Sequence, residues 1–336
     1  MAGQQNSKQK LLYIKDILEQ YSDENHIMNS AEIIEKLDNR YGIRTERKSL
    51  YNDIEVLSSY GLDIIKTHTP KNGCFIGSRD FELAEVRLLC DAVQAANFIS
   101  RSKTKKLLEK IEKFVSVYQA AAIKEQIYID SRPKCENEEI YYSIDALDRA
   151  IKNAKKVRFR YERRVATEKF SAARETKEFI VSPYSLIWSR DHYYLVANKE
   201  NYDNLMNLRI DRIRDVEVLD EKARPLSEVS SYVTGFDAAD YVQKSFNMYS
   251  GTEEMIELQC RKELLEEMFD RFGSNANVRV LNEDCFSIRD EAFVNEGLVS
   301  WIVQFGDRIK VLEPESLKEM VKNRAKSVYD LYNGEQ

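Results

Sequence analysis

Residues 44–57 read RTERKSLYNDIEVL, and this stretch decides the fold of the first part of the chain. Its apolar side chains recur at helical spacing, and those that share one face are Leu50, Ile54 and Leu57. Thr45 stands where an N-cap is expected, and Gly61 stands where a glycine commonly ends a helix. The pattern therefore predicts a capped amphipathic helix with a polar outer face.

The segments on both sides of this helix complete a small motif. Apolar periodicity predicts one helix over residues 11–21 and a second helix capped by Ser30. After the third helix, β-prone residues 63–66 and 74–77 flank the turn sequence TPKNG. Three helices and a hairpin in about 75 residues predict a winged helix-turn-helix at residues 8–78.

The outer face of the third helix is the candidate surface for duplex DNA. Arg, Lys and Asn side chains match the donor and acceptor pattern of base edges in the major groove. The candidate DNA contacts are Arg44, Thr45, Arg47, Lys48, Tyr51 and Asn52 in the helix, with Lys66 and Lys71 in the wing. An ordinary solvated helix face is the alternative. Because residues 1–80 hold 11 Lys and Arg against 12 Asp and Glu, binding would depend on this one surface.

The rest of the chain divides into four segments. Residues 79–137 are predicted to be a helical connector, and residues 138–220 contain five short strand-like stretches typical of a small β-barrel. Residues 221–252 are interpreted as a linker. In residues 253–336, strands and helices alternate in the order of a ferredoxin-like unit. The predicted fold class is a multidomain α+β protein.

Positive charge is concentrated in the middle of the chain. The whole protein has a formal charge of −6, yet residues 150–214 carry 15 Lys and Arg against 8 Asp and Glu. Carboxylates elsewhere in the chain or an anionic ligand would offset this surplus. Because the arginines fall in strand motifs and tyrosines accompany them, we predict a site that binds a phosphate-bearing ligand.

The candidate ligand contacts are cations and aromatic side chains of the predicted barrel, namely Arg158, Arg160, Tyr161, Arg163, Lys177, Tyr184, Tyr194, Arg209 and Arg212. Two alternatives remain open. The tyrosines can be core residues, with Tyr193 expected inside and Tyr194 in a pocket, and the arginines can form salt bridges with residues such as Asp211.

The motifs in this order resemble those of WYL-domain transcription regulators. The segments that carry the resemblance are residues 44–57 with Gly61-Leu62, then PYSL at 183–186, YYLVA at 193–197, LRIDRI at 208–213, and residues 301–314. Tyr193 stands where the family name has Trp. The resemblance implies a bacterial regulator in which an Sm-like barrel, the WYL domain, senses an effector. Nucleic-acid fragments are among the effectors attributed to the family.

Several function classes are disfavoured by the sequence. The five cysteines are widely spaced, and the chain contains only three histidines, so neither a disulfide framework nor a zinc site is expected. No secretion signal or long apolar run occurs, which predicts a cytoplasmic protein without a membrane partner. Catalytic motifs and cofactor loops are missing as well, so no enzyme activity, metal or cofactor is expected.

Three functions remain in competition. The first is a ligand-responsive, homodimeric regulator that binds double-stranded operator DNA and an anionic effector such as single-stranded nucleic acid or a nucleotide. The second is a nucleic-acid-binding accessory protein that modulates a partner defence nuclease. The third is a nuclease with a metal held by Asp237, Asp240, Glu253 and Glu254, although an acidic, solvated linker explains these residues too.

Overall fold

A computed structural model describes residues 2–126, 134–166, 172–233 and 235–334. The chain divides into two compact units, Met1–Glu136 and Asn137–Gln336. Within the described residues, helices accompany three antiparallel sheets, so the predicted α+β class is confirmed at this level. None of the helices described combines the length and the hydrophobicity needed to cross a lipid bilayer.

The first unit begins with three helices and a hairpin, in the predicted order. Its elements are α1 (Ala2–Tyr21), α2 (Ser30–Tyr41), α3 (Arg47–Tyr60), β1 (Ile64–Thr67), β2 (Gly73–Ile76), α4 (Leu83–Ala95), α5 (Arg101–Ile111) and α6 (Val117–Gln126). Ile14, Ile17, Ile33, Leu37 and Leu50 form the centre of a core shared by α1, α2 and α3. A second core lies among α4, α5 and α6, around Val86 and Cys90.

The caps of α2 and α3 differ from those predicted. Asn29, not Ser30, caps α2, because its side chain accepts hydrogen bonds from two backbone amides while the Glu32 carboxylate accepts one from the Asn29 amide. Helix α3 begins at Arg47 after Glu46, so Thr45 lies one residue too early to cap it. Gly61 does end α3, with a φ of 115° that disfavours any residue bearing a Cβ.

Ser22 and Asp23, which follow α1, connect three parts of the first unit. The Ser22 hydroxyl donates to the Leu18 carbonyl at 2.7 Å and accepts from the Ile76 amide of β2 at 3.1 Å. The buried Asp23 carboxylate accepts a short hydrogen bond from the Ser116 hydroxyl, one residue before α6. Two adjacent side chains therefore hold both the hairpin and the start of α6.

The second unit contains two larger sheets. Its elements are α7 (Ile140–Lys152), β3 (Lys155–Ala166), β4 (Ala172–Ser189), β5 (His192–Asn198), β6 (Met206–Arg209), β7 (Ile213–Lys222), α8 (Ala238–Lys244), β8 (Thr252–Arg261), α9 (Leu265–Phe272), β9 (Asn277–Val280), β10 (Cys285–Val294), α10 (Glu296–Val303), β11 (Ile309–Glu313) and α11 (Glu315–Asn333). The strand orders are β6-β5-β4-β3-β7 and β11-β8-β10-β9.

The five-stranded sheet curves so that β3 and β6, which are not neighbours in it, approach each other. Val157, Phe159 and Tyr161 are buried on one face of β3, as the alternation predicts. The Tyr161 hydroxyl accepts a hydrogen bond from the Arg209 amide of β6 at 3.2 Å, across the inside of the sheet. No pairing between β6 and β7 is present in the described residues, so the closed Sm-like barrel stays a prediction.

The second sheet is surrounded by α9, α10 and α11, and the order β8-α9-β9-β10-α10-β11 follows the predicted one. The ferredoxin-like assignment itself stays a prediction. Residues 221–252 are packed into the unit: Tyr241 of α8 and Phe246 are almost fully buried. This segment thus contributes core residues in addition to connecting the two sheets.

Candidate nucleic-acid interface and ligand site

The outer face of α3 is polar and open to solvent. Leu50, Ile54 and Leu57 point into the core, and the exposed side chains of the helix include those of Arg47, Lys48, Tyr51 and Asn52. These four are the residues predicted to contact base edges, and the helix brings them together on one surface. In the part of the chain that the structure describes, no carboxylate is ion-paired with Arg47 or Lys48.

Asp53 of α3 is partly buried, and a cation of α1 neutralises its charge. The Lys10 ammonium of α1 lies 2.6 Å from Asp53 Oδ2 and donates to Ser49 Oγ at 2.7 Å. Because the Lys10 and Asp53 side chains are largely buried, this pair fixes α3 on α1. The charge that α3 offers to a ligand therefore comes mainly from Arg47 and Lys48.

The other predicted DNA contacts have partners inside the unit. The ion pairs are Arg44 with Asp38 at 3.5 Å, Lys66 with Glu55 at 2.9 Å, and Lys71 with Glu32. Thr45 is half-buried, and its hydroxyl accepts a hydrogen bond from Lys10 at 3.4 Å. A phosphate would have to displace a carboxylate to reach these three cations, so each is a weaker candidate than Arg47 or Lys48.

Four of the predicted ligand-binding cations are held by carboxylates. The pairs are Arg158 with Glu217, Arg160 with Asp215, Lys177 with Glu175, and Arg209 with Asp211. Glu217 and Asp215 belong to β7, just outside the basic stretch counted in the sequence. The salt-bridge alternative thus applies to these residues, and intramolecular pairing offsets much of the surplus charge.

Arg209 is the most firmly held of the four. Its Nε and Nη2 atoms donate to the two oxygens of Asp211 at 3.0 and 2.7 Å, a bidentate arrangement. His192 lies in the field of this arginine: its burial, and then the positive charge of Arg209, lower the pKa of the imidazole. Arg212 also acts on His192, and no carboxylate pairs with Arg212 in the described residues. We call Arg209, Arg212 and His192 the Arg209 cluster, and it is a basic site of the second unit.

The predicted tyrosines do not form one stacking surface. Tyr161 is only 4% exposed, so its ring is closed to a ligand. Tyr184 is half-buried and donates to the Arg224 carbonyl at 2.9 Å, and burial raises the pKa of its phenol to about 12. Tyr194 packs against the core that surrounds Val196. Tyr193 and Tyr194 are both half-buried, and the residues that follow them in β5 are buried without alternation.

Tyr184 and Tyr193 line a separate cavity of about 530 Å³ between α7, β4 and β5. Asp145 and Asp148 of α7 stand in its wall. Two carboxylates disfavour an anion there, so this cavity does not serve the predicted ligand.

Arg163 and Lys177, in contrast, meet at one cavity, which we call the mouth cavity. It has a volume of about 370 Å³ and is lined by Arg163, Lys177, Phe179, Lys199, Tyr202, Asn204 and Met206. The Lys199 ammonium lies 5.5 Å from the centroid of the Phe179 ring and 5.9 Å from that of Tyr202. The Arg163 guanidinium lies 5.5 Å from the centroid of Tyr161. Cations and aromatic faces are thus combined in one place.

Sequence reasoning missed Phe179, Lys199 and Tyr202. The signal for Phe179 was available, because Phe179 lies two residues after Lys177 in β4 and therefore shares its face of the strand. Lys199 and Tyr202 follow β5 in a loop without periodicity, and no pattern in the sequence places them.

The acidic residues considered as a metal site serve structural roles. Asp240 and Glu253 both contact the Lys244 ammonium, the former at 3.2 Å, and Asp237 caps α8. Across the described ranges, no group of three His, Cys, Asp or Glu side chains is arranged to hold a metal ion.

Comparison with protein families identifies two parts of the second unit. The family model of the WYL domain matches residues 143–218, and that of the WCX domain matches residues 261–329. The chain therefore contains a WYL domain and a WCX domain. Its WYL domain contains the five-stranded sheet together with most of α7, so the mouth cavity and the Arg209 cluster are both features of the WYL domain. The WCX domain contains most of the four-stranded sheet.

Two solved structures are similar to this WYL-domain protein at low identity. Proteasome accessory factor B/C (PafBC) of Arthrobacter aurescens is 18% identical with a TM-score of 0.29, and the match covers 97% of this chain and 49% of that one. This chain therefore spans about half the length of that protein. A CRISPR Cas-related protein is 14% identical with a TM-score of 0.38, over 90% of this chain and 76% of that one. No curated protein matches.

Proposed function

We propose that this WYL-domain protein is a transcription regulator that binds duplex DNA through α3 and an anionic ligand through its WYL domain. The observation that carries the proposal is the exposed face of α3, on which an amide lies beside two cations that have no ion-pair partner within the described ranges. A helix that follows two others and precedes a hairpin is well placed to enter a major groove. This function needs no catalytic group.

The ligand-binding part of the proposal is supported by charge. Residues 150–214 have seven more cations than carboxylates, while the whole chain has a charge of −6. After the ion pairs within the domain are formed, Arg163 and Arg212 remain without a carboxylate partner among the described residues. Such cations lower the free energy of a bound phosphate.

The experiment on α3 starts from genomic DNA fragments that the purified full chain retains, which supply a duplex for mobility-shift titration. An Arg47→Ala, Asn52→Ala variant should bind this duplex at least tenfold more weakly, because one good base contact contributes about 1 to 3 kcal/mol. A Lys105→Ala, Lys106→Ala variant on α5 removes exposed charge elsewhere in the same unit and should bind as the wild type does.

Unfolding curves should show that both variants remain folded. Equal affinity of the α3 variant and the wild type for the selected duplex would refute the assignment of α3 as the DNA-contacting element. An equal loss of affinity in both variants would mean that the interaction is only general charge attraction.

A further inference from the structure

The cavity between α7, β4 and β5, which we call the tyrosine cavity, combines aromatic rings with carboxylates. The rings are those of Tyr141, Tyr184 and Tyr193, and the carboxylates are those of Asp145 and Asp148. In the described part of the chain, its wall contains no lysine, arginine or histidine. Aromatic faces and carboxylates both attract positive charge, so the wall suits an organic cation.

Helix α7 supplies one side of the tyrosine cavity. Tyr141, Ile144, Asp148 and Ile151 recur every three or four residues and therefore share one side of the helix, with Asp145 beside them. Residues three apart in a helix have their Cβ atoms about 5 to 6 Å from each other. The two carboxylates thus lie one turn apart along a wall that also contains isoleucine side chains.

The sheet supplies the opposite side. Tyr184 of β4 is held by its hydroxyl, which donates to the Arg224 carbonyl at 2.9 Å. Burial raises the pKa of the Tyr193 phenol of β5, and the negative charge of Asp148 raises it further. The carboxylate of α7 and the tyrosine of β5 are therefore near each other, and Leu186 adds a further apolar side chain.

The two aspartates have cationic neighbours on α7, but these neighbours leave them accessible to a ligand. Asp148 contacts the Lys152 ammonium at 2.6 Å, and Asp145 contacts the Arg149 guanidinium at 3.5 Å. Both cations are well exposed and lie outside the wall of the tyrosine cavity. Such surface pairs contribute little free energy, and a carboxylate accepts several hydrogen bonds. A second cation can therefore bind from the cavity side.

We propose that the tyrosine cavity binds an aliphatic polyamine, with two ammonium groups at Asp145 and Asp148 and the methylene chain against Ile144, Ile151 and Leu186. This inference goes beyond the proposed function, because it adds a cationic ligand at a site separate from the candidate anion sites. The volume of about 530 Å³ lies within the range of small-molecule sites, which is about 300 to 1,000 Å³.

A divalent metal ion is the alternative occupant. Mg²⁺ and Ca²⁺ take about six to eight oxygen ligands. Across the described ranges, no three His, Cys, Asp or Glu side chains are arranged to hold a metal ion, and much of this wall consists of rings and aliphatic groups. These groups stabilise methylene chains and organic cations by contact. The composition of the wall therefore favours a polyamine.

The first experiment measures binding by calorimetry to the full chain, freed of nucleic acid so that no polyamine binds to phosphates. The probes are putrescine and spermidine, which carry two and three amines, butylamine, which carries one amine on the same chain as putrescine, and Mg²⁺. We expect both polyamines to bind at least tenfold more tightly than butylamine, because two carboxylates are engaged. Mg²⁺ at the same concentration should not displace putrescine.

The second experiment locates the site with substitutions. Asp145→Asn, Asp148→Asn keeps the side-chain shape and should weaken putrescine at least tenfold. Asp220→Asn is the matched control, because it removes an exposed carboxylate of β7 that is paired with Lys155, and it should change affinity less than twofold.

The aromatic contribution is tested at Tyr141, which is 38% exposed and begins the first turn of α7. Tyr141→Phe should keep the affinity because the ring remains, and Tyr141→Ala should weaken putrescine about threefold or more. Unfolding curves should show that all of these variants remain folded.

Each contrary outcome overturns the inference. Equal binding of putrescine by the wild type and the Asp145→Asn, Asp148→Asn variant would mean that the site lies elsewhere. Equal binding of butylamine and putrescine would mean that the two carboxylates do not act together. Displacement by Mg²⁺ would show simple charge attraction, and the absence of any binding would remove the site. The duplex titration of the α3 variants is independent of all four results.

Discussion

At the scale of single residues, Asp23 is the charged side chain with the most structural consequences in the first unit. It is 1% exposed, and its oxygens contact the Ser116 hydroxyl, the Asn25 amide and, at 2.7 Å, His26 Nδ1. Burial by itself would raise the pKa of this carboxyl. The hydrogen bonds from Ser116 and His26 outweigh burial, and the pKa lies below its ordinary value of 3.8.

The lowered pKa of Asp23 gives the first prediction on stability. A carboxyl whose pKa is lower in the folded than in the unfolded state stabilises the fold above the unfolded pKa, and this contribution is lost as pH falls through the folded pKa. Asp23→Ala should therefore lower the free energy of unfolding by about 1 to 3 kcal/mol at about pH 7. By about pH 3 the difference from the wild type should shrink, as measured by urea unfolding.

Glu24→Gln is the matched control for this prediction, because Glu24 is adjacent and exposed. Its free energy of unfolding should stay within about 0.5 kcal/mol of the wild type at both pH values. A wild-type advantage over Asp23→Ala that is the same at low and neutral pH would contradict the electrostatic role of Asp23.

At the scale of elements, the end of α3 depends on one backbone conformation. Gly61 has a φ of 115°, and a Cβ added there would meet no atom within 4 Å. The cost of Gly61→Ala is therefore purely conformational, and we expect the free energy of unfolding to fall by about 1 to 2 kcal/mol. Guanidinium denaturation measures this change. Ser58→Ala, an exposed site in the same helix, should have almost no effect, and equal stability of both variants would show that α3 ends without strain.

Much of the element order followed from the sequence. The period of 3.6 placed Leu50, Ile54 and Leu57 in the core, and the period of two placed Val157, Phe159 and Tyr161 together. The sequence predicts only short strands in residues 138–220, whereas β4 spans Ala172–Ser189. Its outer part carries charged side chains at both parities and is stabilised by pairing with β3, an interaction between distant residues that a local pattern does not contain.

The candidate site was predicted less well than the fold. Residue type drew attention to Arg163 and Lys177, which line the mouth cavity together. The pairing of Arg209 with Asp211 was weighed as an alternative, but the sequence did not favour it over a ligand contact. Tyr202 depends on hydrogen bonds from Asn198 and Arg224, which the fold brings together. Loop positions fixed by such contacts have no periodic signature.

At the scale of the whole molecule, opposite charges are distributed unevenly. The surplus of seven cations in residues 150–214 stands against a net charge of −6 for the chain, and residues 1–80 are close to neutral. A DNA-binding surface with so little general attraction gains affinity by contacting two half-sites at once. The molecule that binds an operator is therefore expected to be a homodimer.

The dimer is tested by light scattering at micromolar concentration. The expected mass is about twice the 39.3 kDa of one chain. The measurement is repeated with the Arg47→Ala, Asn52→Ala variant, which should keep the same mass because we propose that these residues contact DNA and not the second copy. A mass near 39.3 kDa for the wild type, with the selected duplex absent or present, would rule out this view of operator binding.

The contacts of Ser22 and Asp23 also have a consequence for motion. The Ile76 amide bonds to Ser22, and the Ser116 hydroxyl bonds to the adjacent Asp23. One turn therefore holds both the end of β2 and the beginning of α6, and the release of either breaks a contact of that turn. They belong to a single cooperative opening unit, in which the amide of Ile76 becomes accessible to hydrogen exchange only when that turn opens. A disturbance that reaches the start of α6 is thereby transmitted to the hairpin that follows α3.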